Sequence, residues 1–208
     1  MGAEGRPDTA FPAGLPSGFS LPEVLVCLAI LAILIGVSVP LLADTVARER
    51  LQAAGFETAM LLRGLRQRSV TEQVGLGLRF VPKGTGWSYS VYRDGNANGI
   101  RTAEILSGRD PCLAGPEDPG TRHEGIRFGL PAASIPQIPP NPGLITNPAD
   151  PIKFGGSDII GFSPSGSISS GTLYLTDGRR VIGVVVYGPT GRIRVFRFEP
   201  DEGWRSGS

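Results

Sequence analysis

Gly18-Phe19-Ser20-Leu21-Pro22-Glu23, followed by the uncharged and largely apolar run from Val24 to Ala43, is the stretch on which the reading of this chain turns. A helix from Phe19 to Leu42 rising ~1.5 Å per residue would reach about 36 Å, more than the ~30 Å hydrocarbon core of a bilayer. Residues 19–43 are therefore predicted to be the membrane-spanning half of a helix, with one carboxylate, Glu23, at its head. A charge near the membrane core costs roughly 2.5–3.5 kcal/mol on insertion scales and is usually kept for a partner. A secretory signal would place an Ala-x-Ala-like cut after its apolar core, and no such order is seen here.

The Gly-Phe-Ser-Leu-x-Glu sequence resembles that of the type IV prepilins and pseudopilins, whose leader is cut after the Gly. The resemblance implies a leader over residues 1–18, cleavage between Gly18 and Phe19, and N-methylation of Phe19. It implies a prepilin peptidase as a partner. Glu23, the fifth residue counted from Phe19, would then meet a neighbouring subunit's amino terminus during assembly. Pro40 stands where many such helices carry a kinking proline. The leader is nearly neutral, with Arg6 against Glu4 and Asp8, and Arg48 and Arg50 lie past the far end of the apolar run, so charge does not orient the helix. The resemblance does: leader in the cytoplasm, a single pass through the inner membrane, and everything after about Asp44 extracytoplasmic.

Beyond the apolar run the helix is predicted to continue over 44–70. Ala47, Leu51, Ala54, Thr58, Leu61, Leu62 and Leu65 recur at three- and four-residue spacing, while Arg48, Glu49, Arg63, Arg66 and Arg68 take other faces. Gly55 and Gly64 each weaken that half by about 1 kcal/mol relative to Ala. After Val70 the period changes to two, and Leu76–Val81, Ser88–Arg93, Ile126–Leu130, Ile159–Pro164, Thr172–Thr176, Arg180–Tyr187 and Arg192–Phe198 read as strands bounded by turn residues. Residues 71–208 are thus a β-rich head, and the fold class is α+β and pilin-like. The prolines crowded into 131–158 cannot supply ladder donors, which makes that segment a long loop, mobile or resting on the sheet.

With 30 Gly, 19 Pro and a formal net charge of +1, the chain is rich in turns and carries no global field that announces nucleic acid. Its 2 cysteines, Cys27 in the apolar run and Cys112 in a Gly/Pro-rich stretch, would lie on different sides of the membrane boundary and so not pair. His123, the single histidine, sits between Arg122 and Glu124 and reads as a surface residue. No catalytic constellation, metal cluster or nucleotide loop stands out, so neither an enzyme nor a cofactor is expected.

The head adds its own resemblance, to the GspH/FimT-type minor pilins and pseudopilins, carried by three segments. These are Tyr92-Arg93-Asp94-Gly95-Asn96-Ala97-Asn98-Gly99, then Gly161-Phe162-Ser163-Pro164-Ser165-Gly166 running into Gly171-Thr172-Leu173, and Pro189-Thr190-Gly191-Arg192-Ile193-Arg194. It implies a minor pseudopilin of a type II secretion system, a structural subunit assembled with other pseudopilins. The alternative it allows is a FimT-like minor type IV pilin that binds DNA for natural transformation, because a Gly-Arg-x-Arg element like Gly191–Arg194 is associated with DNA binding in some of these proteins. Arg192, Arg194 and Arg197 are the candidate DNA-binding residues, with Arg197 on the other face of its strand by alternation. Solvated arginines on an exposed strand would give the same pattern.

Asp94-x-Asn96-x-Asn98-Gly99 also copies the first half of a calcium loop. Its second half does not follow, since Ile105 stands where a bidentate Glu belongs and Glu104 comes one residue early. Asp-Gly and Asn-Gly pairs are turn signals in their own right, and the expectation is a structural turn without a metal.

Overall fold

The computed structural model describes residues 18, 20–131, 134–145 and 147–207, with the side chains of residues 37, 40 and 41 outside that set. Helix α1 runs Leu21–Glu72, and the chain divides into two compact units between Ala43 and Asp44. In the first unit the helix opens with the Val24 N–H donating to the Ser20 carbonyl at 3.1 Å. Pro22 is tolerated there because a first-turn residue has no intrahelical acceptor for its N–H. Leu25, Leu28, Leu31, Leu34 and the other apolar side chains described in this unit are exposed. The expected proline kink falls on Pro40, whose side chain is outside the described residues.

The second unit starts inside α1. Strands β1 (Leu76–Lys83), β2 (Gly86–Arg93), β3 (Cys112–Glu117) and β6 (Ile159–Phe162) form one sheet, in the order β3-β2-β1-β6. The second sheet contains β4 (Arg127–Phe128), β7 (Gly171–Thr176), β8 (Val181–Tyr187), β9 (Arg192–Glu199) and β10 (Gly203–Ser206), in the order β10-β9-β8-β7-β4. The short β5 (Ile152–Lys153) also pairs with β7, opposite Leu173 and Thr172, while β4 pairs further along, opposite Thr176 and Leu175.

Leu51, Ala54, Ala59, Leu62 and Leu65 of α1 are buried against Leu78, Phe80 and Val91 of the first sheet and Leu173, Ile182, Val184 and Val195 of the second. Leu51, Ala54, Leu62 and Leu65 belong to the predicted amphipathic stripe, Ala59 is an addition, and Ala47 and Leu61 are only half-buried; the two sheets supply the cover. Gly55 belongs to the contact: a β-carbon there would lie 2.9 Å from Ile182 Cγ2, so its loss of helix propensity is exchanged for a close approach of helix to β8. At Gly64 a β-carbon would meet nothing within 4 Å. The helix ends where Gln73 takes a left-handed φ of 52° and the Val74 N–H returns to the Ser69 carbonyl at 3.1 Å, a Schellman-type stop without glycine.

Several elements differ from the sequence reading. Strand β1 extends through Pro82, which pairs with Trp87 on β2, whereas β6 faces only Leu76–Arg79, so no ladder donor is demanded of the proline. Ile126–Leu130 shortens to Arg127–Phe128, and β3, β5, β10 and the short helix α2 (Thr102–Leu106) are additions. The proline-rich segment rests on the sheet: Ile135 and Ile138 are buried with Tyr174 and Val181, and Trp204 Nε1 donates to the Pro136 carbonyl at 2.7 Å. It covers the outer face of the second sheet, the side away from α1. Gly183 makes room for it, since a β-carbon there would collide with Ile138 Cδ1.

Candidate functional site

Glu23 sits in the first turn of α1, where the helix dipole favours an anion, and its side chain is exposed. Gly18 has open space around it: a β-carbon would meet nothing within 4 Å. Phe19, the other half of the expected cleavage and methylation pair, lies outside the described residues. The acid and the glycine thus stand at the start of an apolar helix.

In the second unit, β9 separates the three candidate arginines. Ile193 and Val195 face α1 and are buried, whereas Arg192 and Arg194 project from the opposite side of the strand. Register places Arg192 opposite Tyr187 and Arg194 opposite Val185 on β8. Tyr187, Pro189, Thr190, Arg192 and Arg194 line an open depression of about 440 Å³. Among the described residues no carboxylate lies within ion-pair distance of Arg192 or Arg194, whereas Arg197 is held by Glu199, Nε to Oε1, at 2.6 Å. Arg197 instead borders a small cavity with Gln52 and Phe56 of α1. The structure therefore brings Arg192 and Arg194 together with a tyrosine and leaves Arg197 out.

Two helix residues that the sequence did not single out support this corner. Arg63 donates from Nη2 to the Ile193 carbonyl at 3.0 Å, and Arg66 donates from Nε to the Gly166 carbonyl at 2.7 Å. Gly191, at φ 62°, lies over the Arg66 guanidinium, where a β-carbon would come within 2.6 Å of Nε. Arg66 thus ties Gly166 and Gly191, from two of the three resemblance segments, to α1. Helical periodicity marks Arg63 and Arg66 only as polar-face residues, which is why their role is invisible in one dimension.

His123 is less exposed than its polar neighbours suggest, with 19% of its side chain accessible. Its Nε2 lies 2.7 Å from Glu57 Oε2, and Arg122 pairs with the other oxygen of the same carboxylate. Burial works against the Glu57 charge, but hydrogen bonds from His123 and Arg122 outweigh it and hold the carboxyl below its usual range. Tyr89 donates to Glu117 Oε2 at 3.2 Å, and burial, then the Glu117 charge, push its phenol up to about 12. These groups line a cavity of about 320 Å³ between α1, β2 and β3, and its charges are spent on one another. The network is a clasp between helix and sheet.

Residues 16–39 match the family model described as the prokaryotic N-terminal methylation motif. The match contains Gly18, Phe19 and Glu23, and it supports a type IV pilin-like protein processed by a prepilin peptidase and assembled with other pilins. No curated protein and no solved structure matches the chain. The motif suggests anchoring in a membrane through the N-terminal segment. Among the described residues no helix is long and apolar enough to cross a membrane, and residues 37, 40 and 41 of the apolar run are not fully within that set.

Proposed function

We propose that this protein is a minor pseudopilin of a type II secretion system: a structural subunit, not an enzyme, held in the inner membrane by residues 19–43 with its head extracytoplasmic. The observation that carries the reading is the methylation motif at the start of a helix whose first unit leaves its apolar side chains exposed. Exposed leucines and isoleucines on every side are unfavourable in water, at roughly 25 cal/mol per Å² of apolar surface, and are satisfied by lipid or by the same segments of other subunits. Continuation of the helix into a β-rich head is consistent with a pilin-like subunit. The GspH-type assignment rests on the order of the three segments in the head.

Glu23 supplies the test. Removing a carboxylate from an apolar segment leaves insertion intact or improves it, so Glu23→Val is expected to reach the membrane as well as wild type and to crosslink far less to neighbouring pilins. Unchanged crosslinking would remove Glu23 from assembly. A second reading, a FimT-like minor pilin that binds DNA, is favoured by one observation: Arg192 and Arg194 lie together beside Tyr187, without an acidic partner among the described residues.

A further inference from the structure

Asp44 follows the apolar run directly and is the first residue of the second unit. Its carboxylate is held by Arg180, which also pairs with Asp177, Nη1 to Oδ2, at 3.2 Å. The turn between β7 and β8 closes on that same aspartate: Asp177 Oδ1 accepts the Arg179 and Arg180 N–H groups at 2.8 and 2.7 Å. The Thr176 hydroxyl donates to the Arg180 carbonyl at 2.6 Å and completes the turn. One ion pair thus keeps the β7–β8 turn within a side chain's reach of residue 44.

Chain connectivity sets the depth of that corner. Where residues 19–43 span a bilayer, about 36 Å of helix exceeds the ~30 Å hydrocarbon core, so Asp44 emerges among the lipid headgroups. The turn that Arg180 ties to Asp44 is carried to the same level. Two exposed cations stand there with no carboxylate in ion-pair distance among the described residues. Arg179 is next to the tip of the turn, and Arg48 is one helical turn past Asp44 on the same side of α1.

The acids nearby are mostly occupied. The β9–β10 turn reaches the same end of its sheet, because Ile182 lies opposite Arg197, yet Glu199 is held by Arg197 and Glu202 by Arg205. Asp201 remains open there. Glu49 is also open, but it lies about 100° further around α1 than Arg48.

We propose that the β7–β8 turn and Arg48 form a contact for the headgroups of an acidic phospholipid surface, with Arg179 and Arg48 meeting the phosphates. Basic side chains at headgroup depth are attracted by an anionic leaflet, and the guanidinium fork matches phosphate oxygens. The proposal rests on the reading of residues 19–43 as a membrane anchor. The contact would hold the base of the head at an acidic membrane surface while the subunit is in the bilayer.

The test places the full chain in phosphatidylcholine nanodiscs with a trace of acyl-labelled fluorescent phosphatidylglycerol or, separately, acyl-labelled phosphatidylcholine. Energy transfer from the protein's tryptophans reads the enrichment of each lipid around it. Phosphatidylglycerol should be preferred at least about fivefold at ~20 mM salt and fall to near parity at about 0.5 M, as screening requires. Arg48→Gln/Arg179→Gln should bring the preference below about twofold. Arg192→Gln/Arg194→Gln removes the same charge at the opposite end of the sheet and should leave it unchanged. Equal transfer to both lipids in wild type, an unchanged preference in Arg48→Gln/Arg179→Gln, or an equal loss in the distant pair would overturn the proposal. So would abolition by about 10 mM inorganic phosphate at constant ionic strength, which would make this a site for free phosphate. Failure of the chain to enter discs of any composition would overturn the anchoring reading and this contact with it, whereas entry without a lipid preference overturns the contact alone.

Discussion

Arg192 and Arg194 illustrate what a single position can decide. Both are held on one side of β9, with no carboxylate within ion-pair distance among the described residues, so their charge is available to a polyanion. Phosphate contacts of this kind are indifferent to sequence and weaken as salt rises, with a slope set by the few charges involved. In the secretion reading, the full chain in detergent binds duplex DNA only weakly at physiological ionic strength, because Glu199, Asp201 and Glu202 follow directly and the net charge is only +1. Submicromolar binding that falls with salt and is lost in Arg192→Gln/Arg194→Gln, measured by fluorescence anisotropy, would promote the DNA-uptake reading. The pair was legible in the sequence through alternation, and so was the separation of Arg197. Its pairing with Glu199 was not, because two residues on one strand face interact only once side-chain directions are known.

At the scale of elements, α1 is locked to the sheets by the Glu57 clasp as well as by apolar packing. Glu57 is held below 4.5, the ordinary value for this carboxyl, so it contributes stability above that pH and loses it as pH falls through the lower folded value. Glu104, held low first by the Asn98 amide, and Asp118, held low first by Lys83, act with the same sign. The melting temperature of the full chain should therefore be nearly level from about pH 7 to pH 5 and fall below about pH 4.5. Glu57→Gln should melt lower at pH 7 and lose less on acidification, by a modest amount because the carboxylate is 39% exposed and screened. An acid limb unchanged in the variant would mean that the clasp does not hold the helix. Strand β8, rich in Val and Ile, and β7, which alternates Thr and Tyr with Leu, were legible from these β-forming residues and the turn residues that bound them. β3 was not: Cys112–Glu117 includes Gly115 and Pro116, residues that weaken any strand pattern, and it forms because β2 offers it an open edge. For the proline-rich segment the sequence left open whether it is mobile or rests on the sheet, since its anchors, Ile135, Ile138 and the Trp204 bond to Pro136, pair with residues distant in sequence.

On the scale of the whole molecule, the chain combines a unit whose apolar side chains are exposed with a head that closes its own core. That contrast, more than any feature of the head, is what a subunit of a membrane-based filament requires, and it was readable from the change of hydropathy near Ala43 alone. Which machine it serves was not readable, because the residues that would decide it lie on surfaces whose partners leave no periodic trace in one chain. Processing at the amino terminus decides the matter, and it is read by intact mass spectrometry of the full chain coexpressed with a prepilin peptidase. The expected product is a mature protein that begins at N-methylated Phe19, with loss or slowing of the cut when Gly18 is replaced by Ala or a larger residue. An intact leader in the presence of active peptidase, or cleavage after the apolar run, would contradict it.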